Sequence, residues 1–383
     1  MSTRLRIHGG QVLCGGAIVD AAIDIHGGVI AAVGTETGSG RCLDAAGLCV
    51  LPGIVDIHGD AFERQLMPRP GVGFPTPIAL RDSDRQAIGN GITTVYHGLT
   101  ASWEPGLRSI ETTRAILEAI ETLRTSFAAD TRLHLRYEAY NLDAEAEVTD
   151  WLARRRIDLL GFNDHMPSAT APPRVRTLSQ MAERAGISVE DFTALIEGLR
   201  ARANEVPQTT ARLAAAARQS GVPMLSHDDT SPAQRRSFRE LGCHVAEFPT
   251  TIATAEDATA AGDDVVLGAP NVVRGGSHVG WIAAADMIKR GFCTILASDY
   301  YYPAPLLAAF RLAADGVAPL PQAWRYVAEF PARAAALNDR GQIDAGRSAD
   351  VILVDASDLR HPTVVATIAR GRLVHLTEAS RLH

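Results

Sequence analysis

What the 383-residue chain lacks narrows its class first. No run of about 18 apolar residues occurs, so nothing reads as a membrane-spanning helix. The N-terminal "MSTRLRIHGGQVLCGG" has no apolar stretch followed by a cleavage site, which leads to the expectation of a cytoplasmic protein. Five cysteines (Cys14, Cys42, Cys49, Cys243 and Cys293) are odd in number and show no Cys-x-x-Cys spacing. That pattern argues against a disulfide framework and against a thiolate metal site. Positive charge is short as well: 37 Lys and Arg against 44 Asp and Glu leave a net charge of −7. Nucleic acid is therefore not an expected partner, whereas a local cationic pocket for a small phosphorylated molecule is compatible with the balance, as is a homo-oligomer. No internal repeat or low-complexity stretch is visible.

What is present is enough apolar sequence, 46% of residues, for a large core. Residues 1–50 alternate short apolar runs with glycine pairs, as in "GAIVDAAIDIHGGVIAAVGTE", and residues 341–383 return to the same texture in "GQIDAGRSADVILVDASD" and "TVVATIARGRLVHL". Both read as strands and turns, and the two ends are expected to join into one small β-sandwich domain. Between them, residues 51–340 contain eight strand-like runs: "LPGIVDIH", "GITTVYHGL", "RLHLRYEAY", "IDLLGFNDH", "VPMLSHDD", "CHVAEFPTT", "DVVLGAPN" and "CTILASDYY". Helical spacing recurs between runs, over 108–127 and 208–221 for example. The expectation is an α/β chain forming a (β/α)8 TIM-type barrel, with a helical insertion at about 166–207.

Chemistry in such a barrel gathers at the carboxyl ends of the strands, because their bodies are packed core. The first run ends in His58 and Asp60, the third in Glu138, the fourth in Asp164 and His165, the fifth in His227, Asp228 and Asp229, and the last in Asp299. Imidazoles and carboxylates crowded into one cavity favour a cation among them. Two divalent metal ions about 4 Å apart satisfy that need and lower the pKa of a shared water. Nitrogen and oxygen donors without thiolates suit zinc, with manganese or iron as alternatives. Glu138 is the candidate bridging ligand, since no lysine lies near these strand ends. Asp299 is the candidate catalytic proton acceptor as well as a ligand.

Other histidines read as structural. His8, His26, His361, His375 and His383 fall in the terminal domain, His134 and His244 open strands at the wrong end, and His97 is assigned a packed or rim role. Two segments suggest anion handling. "GAPNVVRGGSHVG" places Arg274, Ser277 and His278 in a glycine-rich loop where backbone N–H groups can approach an anion, and "ERQLMPRPG" supplies Glu63, Arg64 and Arg69 beside the first donor pair.

The strings "LPGIVDIHGD", "GITTV" and "GQIDAGRSADVILVD" resemble the amidohydrolase superfamily. "PRPGV", "LHLRYE", "SHDD", "AEFPTT", "GAPNVVRGGSH" and "SDYYYPAPLLAAF" resemble its PhnM family, over about residues 50–355. The resemblance implies a metal-dependent hydrolase that cleaves α-D-ribose 1-methylphosphonate 5-triphosphate to the 5-phosphate and pyrophosphate through a metal-activated hydroxide. It places the metal ligands on His58, Asp60, Glu138, His165, His227 and Asp299, and a substrate residue on His278 with Arg274 and Ser277 beside it. The chain departs from the family pattern at Gly59, Ala61 and Phe62, which reads as a changed pocket wall. The rival readings are hydrolysis of a C–N bond in an N-acyl or cyclic amide, and a non-catalytic binding barrel.

Overall fold

The computed structural model describes residues 4–34, 40–69, 71–166, 178–275 and 284–383. Eight parallel strands form one sheet in sequence order: β1 (Ile54–Gly59), β2 (Ile92–Ala101), β3 (Asp130–Glu138), β4 (Leu159–Asn163), β5 (Met224–His227), β6 (Val245–Glu247), β7 (Asp264–Gly268) and β8 (Ile295–Ala297). All ten residues of β2 are buried, as expected where helices cover a parallel sheet. The barrel closes between its first and last strands. Asp60 N–H donates to the Asp299 carbonyl and Asp299 N–H to the His58 carbonyl, each at 2.9 Å, so two candidate site residues are themselves part of the closure.

Both ends of the chain build the remaining sheets. A four-stranded sheet comes wholly from the N-terminal part, and a six-stranded sheet sets three N-terminal strands edge to edge with Val351–Asp355, Thr363–Ala369 and Arg372–Leu376. Strand alternation explains the unbroken run "VILV". Val351 and Leu353 face Ile7, Ile23 and Leu43 in the core between the two sheets, whereas Ile352 and Val354 join the core of the barrel. The run "LPGIVDIH" divides at Gly53, because Cys49–Pro52 pairs with Val351–Val354 and only Ile54–Gly59 enters the barrel. A Cβ at Gly53 would lie 2.2 Å from Thr93 Oγ1, so the crossing needs glycine.

The helix expected over 108–127 is observed as Ile110–Leu123, opened by Ser109, whose hydroxyl accepts from Thr112 N–H. The one expected over 208–221 is Val206–Ser220, stopped by Gly221 at φ +67°. Two helices of the insertion, Leu178–Ala185 and Val189–Ala201, share a small core of Met181, Ala182, Phe192 and Ile196. Trp103, just past β2, and Met166, just past β4, pack on it, with the Trp103 and Phe192 rings 5.8 Å apart. The excursion is therefore anchored on the side where the strands end.

Candidate active site

Past β5, β6 and β8 the chain turns through a left-handed residue at Asp228 (φ +58°), Phe248 (φ +53°) and Asp299 (φ +55°). Non-glycine residues rarely adopt this conformation, and such strain concentrates at functional sites.

Glu247, which closes β6, has no exposed surface. One carboxylate oxygen accepts from His58 Nδ1 and the other from His227 Nδ1, both at 2.7 Å, and the two rings stack 5.8 Å apart. An ionised carboxylate only accepts, so each ring donates from Nδ1, which leaves Nε2 as the ligating atom of the neutral ring. Burial opposes the charge on Glu247, but His58, His134 and His227 outweigh it and hold the carboxyl well below its ordinary range. Glu138 does the same for His165, accepting from Nδ1 at 2.6 Å and from its backbone N–H at 3.1 Å. Burial works against that carboxylate too, and His165 brings it down to about 2.

Besides the His58, His227 and Glu247 set, donor atoms of the described residues converge in two further mixed groups. His58, Asp60 and Asp299 form one, and His165, His227 and Asp228 the other, with the atoms of each group within 4.8 Å of one another. Burial, then the charge of Asp60, pushes Asp299 up to about 7, a repulsion that a cation between the carboxylates would relieve. Imidazole tautomers set for Nε2 ligation, paired carboxylates and the absence of thiolate among these donors fit a divalent ion. Arg136, 4% exposed, lies between the groups, with Nη1 3.6 Å from Asp60 and Nη2 3.3 Å from His227 Nε2.

The candidates read from sequence separate on this geometry. His58, Asp60, His165, His227 and Asp299 come together. Glu138 lies in neither group among the described residues, its two oxygens accepting from His165, and its bridging role stays a proposal. Glu63 is likewise engaged: Arg108 Nε and Nη2 donate to it at 3.0 and 2.8 Å, which holds Arg108 3.9 Å from Asp60. Arg64 is exposed and donates to the Tyr300 carbonyl. Arg69 is exposed in a tight turn, its carbonyl accepting from Val72 N–H at 3.0 Å. The expected glycine-rich loop begins instead as a helix, Ala269–Arg274, which Gly275 ends at φ +77°. A helix end presents carbonyls, so Gly275 is a terminator there; Arg274 reaches the Tyr300 hydroxyl at 3.5 Å. Ser277 and His278 lie outside the described residues.

The departures at residues 59, 61 and 62 lie in packed surroundings. Ala61 and Phe62 are each 1% exposed, and Phe62 packs on the ring of His97 at 4.9 Å. A Cβ at Gly59 would meet Asp56 Oδ2 at 2.8 Å, and Ser298 holds that carboxylate through its N–H and its hydroxyl. His97 is packed, and burial alone takes it down to about 4. His134 does not open its strand. It sits midway along β3, buried, with its ring 5.4 Å from that of His58. His244 is exposed beside Asp263, as expected of a structural residue.

Glu247, Arg136 and Arg108 were not singled out from sequence. A carboxylate closing the apolar run "CHVAE" was a usable signal for Glu247. Arg136 carried a weaker one, two residues before Glu138 and so on the same strand face. Arg108 carried none.

No family model matches the chain. Among solved structures it resembles an amidohydrolase, with TM-score 0.64 and 15% identity, covering 98% of this chain and 100% of the other. It also resembles a molinate hydrolase, with TM-score 0.65 and 15% identity over 97% and 95%. Barrel and terminal sheets give this chain the fold of the amidohydrolase superfamily. In sequence the chain is 32% identical over 352 residues to the α-D-ribose 1-methylphosphonate 5-triphosphate diphosphatase of Escherichia coli K12, covering 89% of this chain and 92% of that protein. It belongs to the PhnM family of that superfamily.

Proposed function

We propose that this hydrolase cleaves a phosphoanhydride, converting α-D-ribose 1-methylphosphonate 5-triphosphate to the 5-phosphate and pyrophosphate in the cytoplasm. The observation that carries the reading is the nearly full-length similarity to the Escherichia coli diphosphatase. Divalent ions held by the two donor groups, zinc or alternatively manganese or iron, would supply Lewis acidity and acidify a nearby water.

The protein's own groups do the rest. Asp299 accepts a proton from the water as its oxygen bonds to phosphorus, the bridging P–O bond breaks, and the proton passes to the departing oxygen. Glu247 and Glu138 hold the three imidazoles in one tautomer and one orientation, so no reorganisation is needed as charge develops. Arg136 and Arg108, both beside Asp60, offer donors to phosphoryl oxygens.

The test is to incubate metal-loaded protein with the ribose phosphonate triphosphate, nucleoside triphosphates and a panel of N-acyl amino acids. Pyrophosphate, phosphate and amine are followed together. Pyrophosphate release from the ribose phosphonate triphosphate is the expected result. Amine release with no phosphoryl cleavage overturns the reading in favour of C–N hydrolysis.

A further inference from the structure

We propose that Arg136 makes the two donor groups unequal, so that one divalent ion is held tightly at His58, Asp60 and Asp299 and a second is exchangeable at His165, His227 and Asp228. The inference rests on the metal-dependent reading above and on nothing about the substrate.

Arg136 lies on β3 two residues before Glu138, which turns both side chains into the barrel. Its guanidinium has little room to move away. With its amide turned so that the oxygen faces the guanidinium, Asn163 accepts from Nε at 3.2 Å and from Nη2 at 3.3 Å, and the Arg136 side chain is 5% exposed.

The contact with His227 is the telling one. His227 has committed its Nδ1 proton to Glu247, so Nε2 carries a lone pair, and Nη2 of Arg136 stands 3.3 Å from it. That hydrogen bond uses the electron pair a metal ion would take. An ion at His165, His227 and Asp228 must displace this donor and then sit beside a guanidinium cation.

The other group is touched more lightly. Arg136 Nη1 is 3.6 Å from a single oxygen of Asp60, and neither His58 nor Asp299 is its hydrogen-bond partner among the described residues. This group also brings two carboxylates to an ion where the second brings one. Lone-pair competition and carboxylate count therefore favour the same group, and the charge of Arg108, 3.9 Å from Asp60, is matched by its pairing with Glu63. An exchangeable ion in the second group is one that a polyphosphate substrate can carry in as its own chelate.

The experiment needs no substrate. Full-length protein is saturated with Zn2+, desalted and analysed for bound metal, then titrated calorimetrically after chelation. Wild type should retain one ion per chain and show two steps separated by about 10–100-fold in affinity. Arg136→Gln, which removes the charge, should retain both ions, and Arg136→Lys should behave as wild type. Two ions retained by wild type, or a single step of equal affinities, overturns the proposal, as does Arg136→Gln retaining the same number as wild type. Should Arg136→Gln fail to fold by circular dichroism, the wild-type titration decides alone. Failure of the phosphoanhydride reading would appear only in the product assay, and failure of this one only in the metal count.

Discussion

In the terminal sandwich, Val351, Leu353 and Ile368 are fully buried against Ile7, Ile23 and Leu43; at the mouth of the barrel, His58, Glu247, Asp56 and Arg136 are about as deeply buried. One region gains stability for each side chain it hides, since apolar burial contributes about 25 cal/mol per Å2. The other hides groups whose desolvation costs several kcal/mol unless each is paired, and it keeps Asp60 and Asp299 close enough to repel. Equal burial thus serves opposite ends. Stability and chemistry should respond to different substitutions.

The largest separation is expected at Asp299. Asp299→Asn should lower turnover by about 10^2–10^4-fold, because the proton acceptor is lost. Its melting temperature should hold or rise, since one of two repelling carboxylates is gone; a large fall would show that Asp299 matters mainly to barrel closure. Glu247→Gln should weaken metal binding by about 10–100-fold, measured by competition with a chromophoric chelator. A glutamine has one accepting oxygen for two Nδ1–H donors. Unchanged affinity would show that Glu247 does not orient the rings.

In the sandwich the pattern should invert. Leu353→Ala should cost about 2–5 kcal/mol in denaturant unfolding, with turnover intact wherever the protein is folded. Loss of turnover without loss of stability would break the comparison. Gly59→Ala sharpens it with the smallest effect. Although flanked by His58 and Asp60, this position should behave as core, losing about 1–3 kcal/mol to the clash with Asp56 while the ratio of activities between substrates stays constant.

The fold was legible because each barrel strand is an apolar run closed by a polar residue, and because helical spacing returns between runs. The same local pattern pointed to His58, His165, His227 and Asp299. It did not reach their partners. Glu247 lies 189 positions from His58 and on a three-residue strand, so nothing in its neighbourhood reports which imidazole it holds. That Glu138 accepts from both the ring and the N–H of His165 is likewise decided by placement across the barrel. The segment at 269–275 illustrates the opposite error. Its glycines suggested a loop, yet Ala269 and Val272 pack into the hydrophobic core beside a buried Pro270, and the chain there is a helical turn that Gly275 terminates.

By itself the sequence determined the class of architecture, the strand ends at which chemistry sits and the donor types available there, because period and residue chemistry are local properties. Only the tertiary structure decided how those donors divide into two groups, that Glu247 ties His58 to His227, and that Arg136 stands between the groups. It also turned Ala61 and Phe62 into the core and away from the cavity. Those outcomes depend on the closing of eight strands into a ring, which brings β1 against β8 and β6 across from β1. Distances across a ring are set by its closure, and no run of neighbouring residues encodes them.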